Sequence, residues 1–382
     1  MTAPRGNGSF QPPHLRPLPT SGPREHHPMT AILLSLEQRL CLYRDGYVVL
    51  PGIVPEPLVR AARRLLNLDL GRVWMRAAAL RDPADTGRAE KVRRAVDATG
   101  ATQAEPAILD LFNATPIKPM LEHALGAALP EARGAQLATL FPMAPSDYVN
   151  ESGYRDRDTP FFAWHGHLDG LWNGATAMHQ RTDAPISADA LAAWSQSPSR
   201  NRQSREYPAF GTNIANFTAL VGVALSDQRE PGAGNLGVLA GAHHAMTEFF
   251  CHQRDAGGPL GPDGPDWPRV DTDAPNSCGL RHYPEAVRAA FADGAARTAD
   301  GKLWPKPTLL CLAPGDAVVA LHALPHCGTR VAGPDPRLMA YFRVTTGARP
   351  TANRAVYPDA LCDPWIEWPV IRATVQQMHA TR

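Results

Sequence analysis

Trp164-His165-Gly166-His167-Leu168-Asp169-Gly170 is the stretch on which the reading of this chain turns. Along an extended segment, positions i and i+2 project to one side. His167 and Asp169 therefore share a face while Leu168 packs behind them. A second histidine, His326, stands far downstream, after the Gly315-Asp316 turn and the apolar run 317–321. Two imidazoles and one carboxylate can occupy one face of a six-coordinate Fe(II), leaving the other face open for a chelating co-substrate and O₂. Arg337 follows one strand later, and its planar fork suits a co-substrate carboxylate. A three-residue His-x-Asp pattern arises by chance. The ordered set of His-x-Asp, distal His and following Arg is far more specific.

Working outward, Gly333-Pro334-Asp335-Pro336 is a turn that introduces a strand. On that strand Arg337, Met339, Tyr341 and Arg343 fall on one face and Leu338, Ala340, Phe342 and Val344 on the other. A polar face opposite an apolar one suits a barrel whose interior holds a charged ligand. Arg343 shares the face of Arg337 and is the alternative carboxylate partner. Gln136 and Thr218 lie on strands that can face a bound co-substrate. His165 shares the face of His167, but pairing with Asp169 favours His167 as the ligand. His322 reads as a supporting or structural residue, and His243 as part of a turn near the barrel rim.

Further strands are expected at 47–51, 136–141, 217–225, 235–239, 309–312 and 317–321, from apolar runs closed by Gly and Pro. Ser35 with Gln38 forms a capping-box pattern that opens a helix. Helical periodicity recurs at 55–66 and at 108–125, where Gly126 ends it. No regular helix–strand alternation is present, so a doubly wound parallel sheet is excluded. Two polar stretches, 175–210 and 247–306, read as insertions. Loops this long inside a compact domain are commonly lids or disordered segments.

Composition narrows the class. The 382 residues carry a net charge of +1 and are 44% hydrophobic, enough for a sizeable core. Near-neutral charge without a long basic block points away from nucleic acid and anionic membranes. The six cysteines are scattered without a C-x-x-C pair, which argues against a structural zinc site or a disulfide framework and for reduced thiols in the cytoplasm. Residues 1–28, rich in Pro, Gly, Arg and His, lack the apolar core of a signal peptide and read as a disordered leader. Met29 is then an alternative start, and 29–382 a single domain, monomeric or homodimeric.

On these residues the chain resembles the phytanoyl-CoA dioxygenase family of Fe(II)/2-oxoglutarate oxygenases, from about residue 34 to 349. Arg44-Asp45-Gly46-Tyr47-Val48-Val49-Leu50-Pro51-Gly52 looks like that family's N-terminal strand, and His167-Leu168-Asp169-Gly170 matches its metal motif. Asn235-Leu236-Gly237-Val238-Leu239-Ala240-Gly241-Ala242-His243 is similar to its G-x-L-x-V-x-P-G-S-H segment, with Ala240 and Ala242 where Pro and Ser are usual. The resemblance implies a mostly β fold, a double-stranded β-helix (jelly-roll, cupin-like) core with N-terminal helices packed against it. It implies that His167, Asp169 and His326 bind Fe(II) and that Arg337 binds the distal carboxylate of 2-oxoglutarate. The implied reaction is oxidative decarboxylation of 2-oxoglutarate coupled to hydroxylation, or another oxidation, of a C–H bond in a small metabolite or acyl substrate. Asp169 disfavours a halogenase, in which a small residue would leave room for chloride. Two rival classes are a metal-assisted hydrolase, since His₂-carboxylate also binds zinc, and a non-catalytic jelly-roll binding protein.

Overall fold

The computed structural model describes residues 33–79, 102–147, 160–164, 166–168, 217–255, 263–264, 267–268, 285–297, 303–346 and 359–381. The expected leader, the first insertion and part of the second lie outside the described residues.

The chain opens with α1 (Leu36–Asp45), β1 (Tyr47–Leu50) and α2 (Glu56–Ala79). The capping box of α1 is complete: Gln38 N–H donates to Ser35 Oγ at 3.1 Å, and Ser35 N–H donates to Gln38 Oε1 at 2.9 Å. Gly46 ends the helix at φ +81°, and its N–H caps the Leu42 carbonyl. The 108–125 periodicity resolves into two helices, α3 (Pro106–Asn113) and α4 (Ile117–Leu125). They part at Thr115-Pro116, because proline cannot continue the preceding helix. α2 runs well past the expected end at residue 66.

Apart from two two-residue hairpins (Asp263–Gly264 with Trp267–Pro268, and Ala296–Arg297 with Leu303–Trp304), the further strands are β2 (Gln136–Leu140), β3 (Ala219–Ala224), β4 (Leu236–Val238), β5 (Thr308–Leu310), β6 (Ala317–Leu321), β7 (His326–Gly328) and β8 (Arg337–Val344). Strands β1 to β8 form two antiparallel sheets, one in the order β1-β6-β3-β8-β2 and one in the order β7-β4-β5. Strands adjacent in space are distant in sequence, so the chain crosses repeatedly between the two sheets in jelly-roll fashion.

Side-chain alternation divides the core. One face of the large sheet (Val48, Leu50, Val221, Val223, Val319, Leu338, Ala340, Phe342) packs on helical residues including Leu42, Leu66, Ile108, Leu121 and Ile371. The other face (Leu220, Ala224, Val318, Ala320, Met339, Tyr341) meets Leu236, Val238, Leu310 and Leu312, and this is the interior between the sheets. β3 and β6 are buried on both faces, which is why they read as unbroken apolar runs. Helices, not solvent, cover the apolar face of β8. Among them is α7 (Pro369–Ala380), which the sequence reading did not anticipate and which packs against α1 and α4.

A third cluster lies behind the small sheet. α5 (Ala242–Asp255) and α6 (Glu285–Ala290) bring Met246, Phe250 and Val287 against Trp164, Leu168 and Cys327. The segment expected to begin an irregular insertion at 247 is therefore the middle of a helix. His243, expected in a rim turn, sits fully buried in that helix's first turn. No helix among the described residues is long and apolar enough to cross a membrane.

Candidate metal and co-substrate site

His326 opens β7, where its Cα partner is Val238, a residue of the inter-sheet interior. Paired positions on neighbouring antiparallel strands share a face, so His326 points inward. Cys327, one residue on, packs in the outer cluster. His167 forms an isolated antiparallel bridge with His326, each backbone N–H donating to the other's carbonyl at 3.0 Å. The two imidazoles thus share the inward face, with ring centres 5.0 Å apart. Both are buried, at 8% and 5% exposure. The separation of 159 positions in sequence closes to a single ladder rung.

The His167 segment is held from behind. Trp164 Nε1–H donates to Gly237 O at 2.9 Å, and a Cβ at residue 237 would lie 2.4 Å from the indole. Leu168 packs in the outer cluster, as alternation from an inward His167 requires. Just upstream, Phe161, Phe162 and Ala163 have φ of 58°, 55° and 60°, a left-handed turn that L-residues rarely adopt. It is fastened by Arg330 N–H donating to Phe162 O at 2.8 Å.

The histidine pair fits a metal ion on two counts. His326 Nδ1 lies 2.8 Å from Leu324 O. A carbonyl can only accept, so Nδ1 carries the proton and Nε2 holds the lone pair, the usual orientation of a metal-binding imidazole. Two imidazoles bonded to one ion at about 2.0–2.1 Å have ring centres about 4.5–5 Å apart, close to the separation found. Asp169, the expected third ligand, lies outside the described residues, as does His165.

Arg337, the first residue of β8, is 2% exposed. Its Nη2 donates to the Tyr341 hydroxyl, and its guanidinium carbon sits 5.6 Å from that ring's centre. Among the described residues Nε has no hydrogen-bond partner, and Arg337 is in none of their ion pairs. Two glycines make room for the side chain. A Cβ at Gly234 would lie 3.0 Å from Arg337 Cβ and Cδ, and one at Gly328 would lie 3.0 Å from Nη1. Gly328 is two residues from His326 on the same face of β7. A buried cation with an unmet donor is costly unless an anion pairs with it.

The other expected contacts are placed differently. Arg343 is exposed, with its guanidinium over Phe217, and stands six residues along β8 from Arg337, about 20 Å. Gln136 is exposed at the start of β2. Thr218 is buried, but its hydroxyl donates to Glu367 at 3.1 Å, fastening the C-terminal segment. His322 packs edge-on against Phe217, with ring centres 5.1 Å apart.

Four features were missed by sequence reasoning: Gly328, Gly234, Asn235 and Gln228. Asn235 Nδ2 donates to the carbonyls of Gln228 and Leu310 at 2.6 and 3.3 Å, and its Oδ1 accepts from Gly232 N–H at 3.0 Å. Those bonds close the Asp227–Gly234 turn beside Arg337. Pro231, Gly232 and Gly234 mark a turn in the sequence, but the buried amide that organises it is not legible there.

Neither a protein-family model nor a curated protein matches the chain, so the phytanoyl-CoA dioxygenase relation stands as a resemblance. Among solved structures it is similar to the non-heme alpha ketoglutarate dependent carbocyclase SnoK from nogalamycin biosynthesis, at 14% identity and TM-score 0.37, over 84% of this chain and 87% of that one. It is also similar to HygX from Streptomyces hygroscopicus with nickel and 2-oxoglutarate bound, at 13% identity and TM-score 0.38, over 83% and 88%. A third is EctD from S. alaskensis with 2-oxoglutarate and 5-hydroxyectoine, at 14% identity and TM-score 0.39, over 84% and 79%. Likenesses at this level of overlap fix neither the site nor its chemistry, which rest on the residues themselves.

Proposed function

We propose that this protein is an Fe(II)- and 2-oxoglutarate-dependent dioxygenase that oxidises a C–H bond of a small molecule. The observation that carries the reading is the seat of Arg337. Its guanidinium is buried over Gly328, one two-residue step, about 6.6 Å, from His326 on the same strand face. A five-carbon 2-oxo diacid can bridge that step, its chelating end beside the histidine pair and its distal carboxylate on the arginine. His167 and His326 would hold the iron. Asp169 is the third ligand in this reading, because two positions beyond an inward His167 an extended chain again projects inward. Bound there, the metal and co-substrate supply the oxidising chemistry.

The chain's own residues bind, orient and exclude water. Leu324 O fixes the tautomer and ring plane of His326. Arg337, with Tyr341 at one end of its fork, takes the diacid's far carboxylate and so sets the direction in which the chelating end faces. The apolar walls of the inter-sheet interior (Leu236, Val238, Met339) keep bulk water from the reacting centre. Metal-assisted hydrolysis needs no acidic co-substrate beside the metal, so an arginine buried one step from the histidine pair favours the oxygenase reading over the hydrolase one.

The test is O₂ uptake and succinate formation by the Fe(II)-loaded protein with 2-oxoglutarate, with Arg337→Ala as the control. Succinate that depends on Fe(II) and on Arg337 supports the reading; hydrolysis of a substrate without O₂ uptake overturns it. A mass-spectrometric screen for metabolites gaining one oxygen then identifies the substrate.

A further inference from the structure

Gln228 is fully buried in the turn that follows β3, and no described motif accounts for it. Its backbone is pinned: N–H donates to Leu312 O at 2.8 Å, and the carbonyl accepts from Asn235 Nδ2 at 2.6 Å. The side-chain amide is therefore held at a fixed place inside the fold. Its Nε2 lies 3.1 Å from Met339 Sδ, and its Oε1 has no hydrogen-bond partner among the described residues. A thioether is a weak acceptor, so the amide's one hydrogen bond among the described residues is a poor one. Exchanging the amide nitrogen and oxygen does not help, since one polar end is left unmet in either orientation.

The place of that contact gives the amide a purpose. Met339 stands between Arg337 and Tyr341 on the inward face of β8, the face that carries the guanidinium. Met339 cannot donate a hydrogen bond, and Arg343 lies about 20 Å along the strand from Arg337, so near the guanidinium the sequence of β8 supplies only Arg337 itself and the Tyr341 hydroxyl as donors on that face. The adjoining chain supports the same grouping: Leu225 N–H donates to Leu338 O at 2.9 Å, and Leu338 N–H to Ser226 Oγ at 2.8 Å. Gln228 is thereby carried alongside the first residues of β8. A carboxylate offers about four acceptor positions, more than one arginine fork fills.

We propose that Gln228 is a co-substrate-binding residue, whose amide N–H₂ completes the donor set around the distal carboxylate seated on Arg337. This rests on the dioxygenase reading above and adds to it a contact supplied from the turn after β3. No bond is made or broken by Gln228. Its part is to hold the diacid and to discriminate against 2-oxo acids that lack the distal carboxylate.

Gln228→Met tests this, because methionine matches the shape and removes the amide. If the amide served only the fold, removing an unmet polar group would leave ligand binding unchanged. We expect instead that 2-oxoglutarate, titrated anaerobically into the Fe(II)-loaded protein, binds Gln228→Met about tenfold more weakly, a loss of about 1.4 kcal/mol. Fe(II) affinity should be unaltered, and the metal-free variant should melt no lower than the parent. With 2-oxopentanoate, which has no distal carboxylate, parent and variant should bind alike. Equal 2-oxoglutarate affinity in parent and Gln228→Met overturns the inference. Should Gln228→Met fail to fold, Gln228→Glu keeps it testable: its carboxylate must repel the diacid and weaken binding by more than tenfold, and unchanged affinity overturns the inference. Arg337→Ala separates the two ideas. If it too binds 2-oxoglutarate normally, the dioxygenase reading falls; if it alone is weakened, only the role of Gln228 falls.

Discussion

The hydrogen that Gly328 carries in place of a side chain is what admits the guanidinium of Arg337, since a Cβ at 328 would stand 3.0 Å from Nη1. Gly328 does not need glycine for its backbone, as it is not among the positive-φ positions. Gly328→Ala should therefore leave the strand intact and push only the tip of a flexible side chain. We expect 2-oxoglutarate affinity to fall about three- to tenfold, or about 0.7–1.4 kcal/mol, with thermal stability within a few degrees of the parent. An alanine variant with parental affinity would show that the guanidinium has slack here.

The two arginines on the inward face of β8 differ in burial, and that difference is measurable. Removing one partner of a buried charged pair costs about 2–5 kcal/mol, so Arg337→Ala should weaken 2-oxoglutarate binding by at least ~30-fold while iron binding is kept. Arg343→Ala, at an exposed site beyond the reach of Arg337, should change it less than about twofold. Calorimetric titration of both variants decides between them; a reversed order would reassign the carboxylate partner.

His243 makes the fold acid-sensitive. Burial pushes its pKa down to about 3, and neighbouring His244 adds to the depression; the Tyr43 carbonyl, 3.0 Å from Nε2, and Asp45 oppose it. The imidazole is neutral in the fold, whereas the unfolded chain protonates it near pH 6.5. Its contribution to stability is complete above pH 6.5 and is lost as pH falls from there towards 3, at up to about 1.4 kcal/mol per pH unit. Urea unfolding from pH 7 to pH 4 should show this slope, and His243→Gln should flatten it. A parental slope in His243→Gln would place the acid sensitivity elsewhere.

Asn235 should matter to stability more than any surface residue. It is fully buried and ties Gly232 N–H, Gln228 O and Leu310 O together. Asn235→Ala leaves those backbone groups buried without their partner, at about 1–3 kcal/mol apiece before relaxation. A net loss of at least about 2 kcal/mol is expected in denaturant unfolding. A loss below about 0.5 kcal/mol would mean that the turn is closed by other contacts.

The sequence by itself determined a good deal. Local rules sufficed where the cause was local: the Ser35–Gln38 capping box, the glycine ends at Gly46 and Gly126, and the strand 317–321, whose bounds match β6. Alternation correctly set Arg337, Met339 and Tyr341 on one face of β8. The same reading proposed His167, Asp169, His326 and Arg337 as one constellation; His167 and His326 meet in one bridge, and Asp169 lies outside the described residues. Period-two patterning reports which face a residue takes, not what that face meets. Only the tertiary structure decided that the apolar face of β8 is covered by helices, that His326 begins a new strand paired with His167, and that Arg337 is buried while Arg343 is exposed. Thr218 and Gln136 were drawn to the site by strand position alone, and packing sends one to Glu367 and the other to solvent. The same limit hid Gly328 and Gln228. Their roles follow from how closely a residue of the second sheet or the next turn approaches Arg337 and Met339, and that closeness is fixed by sheet-on-sheet packing between segments the chain itself holds far apart.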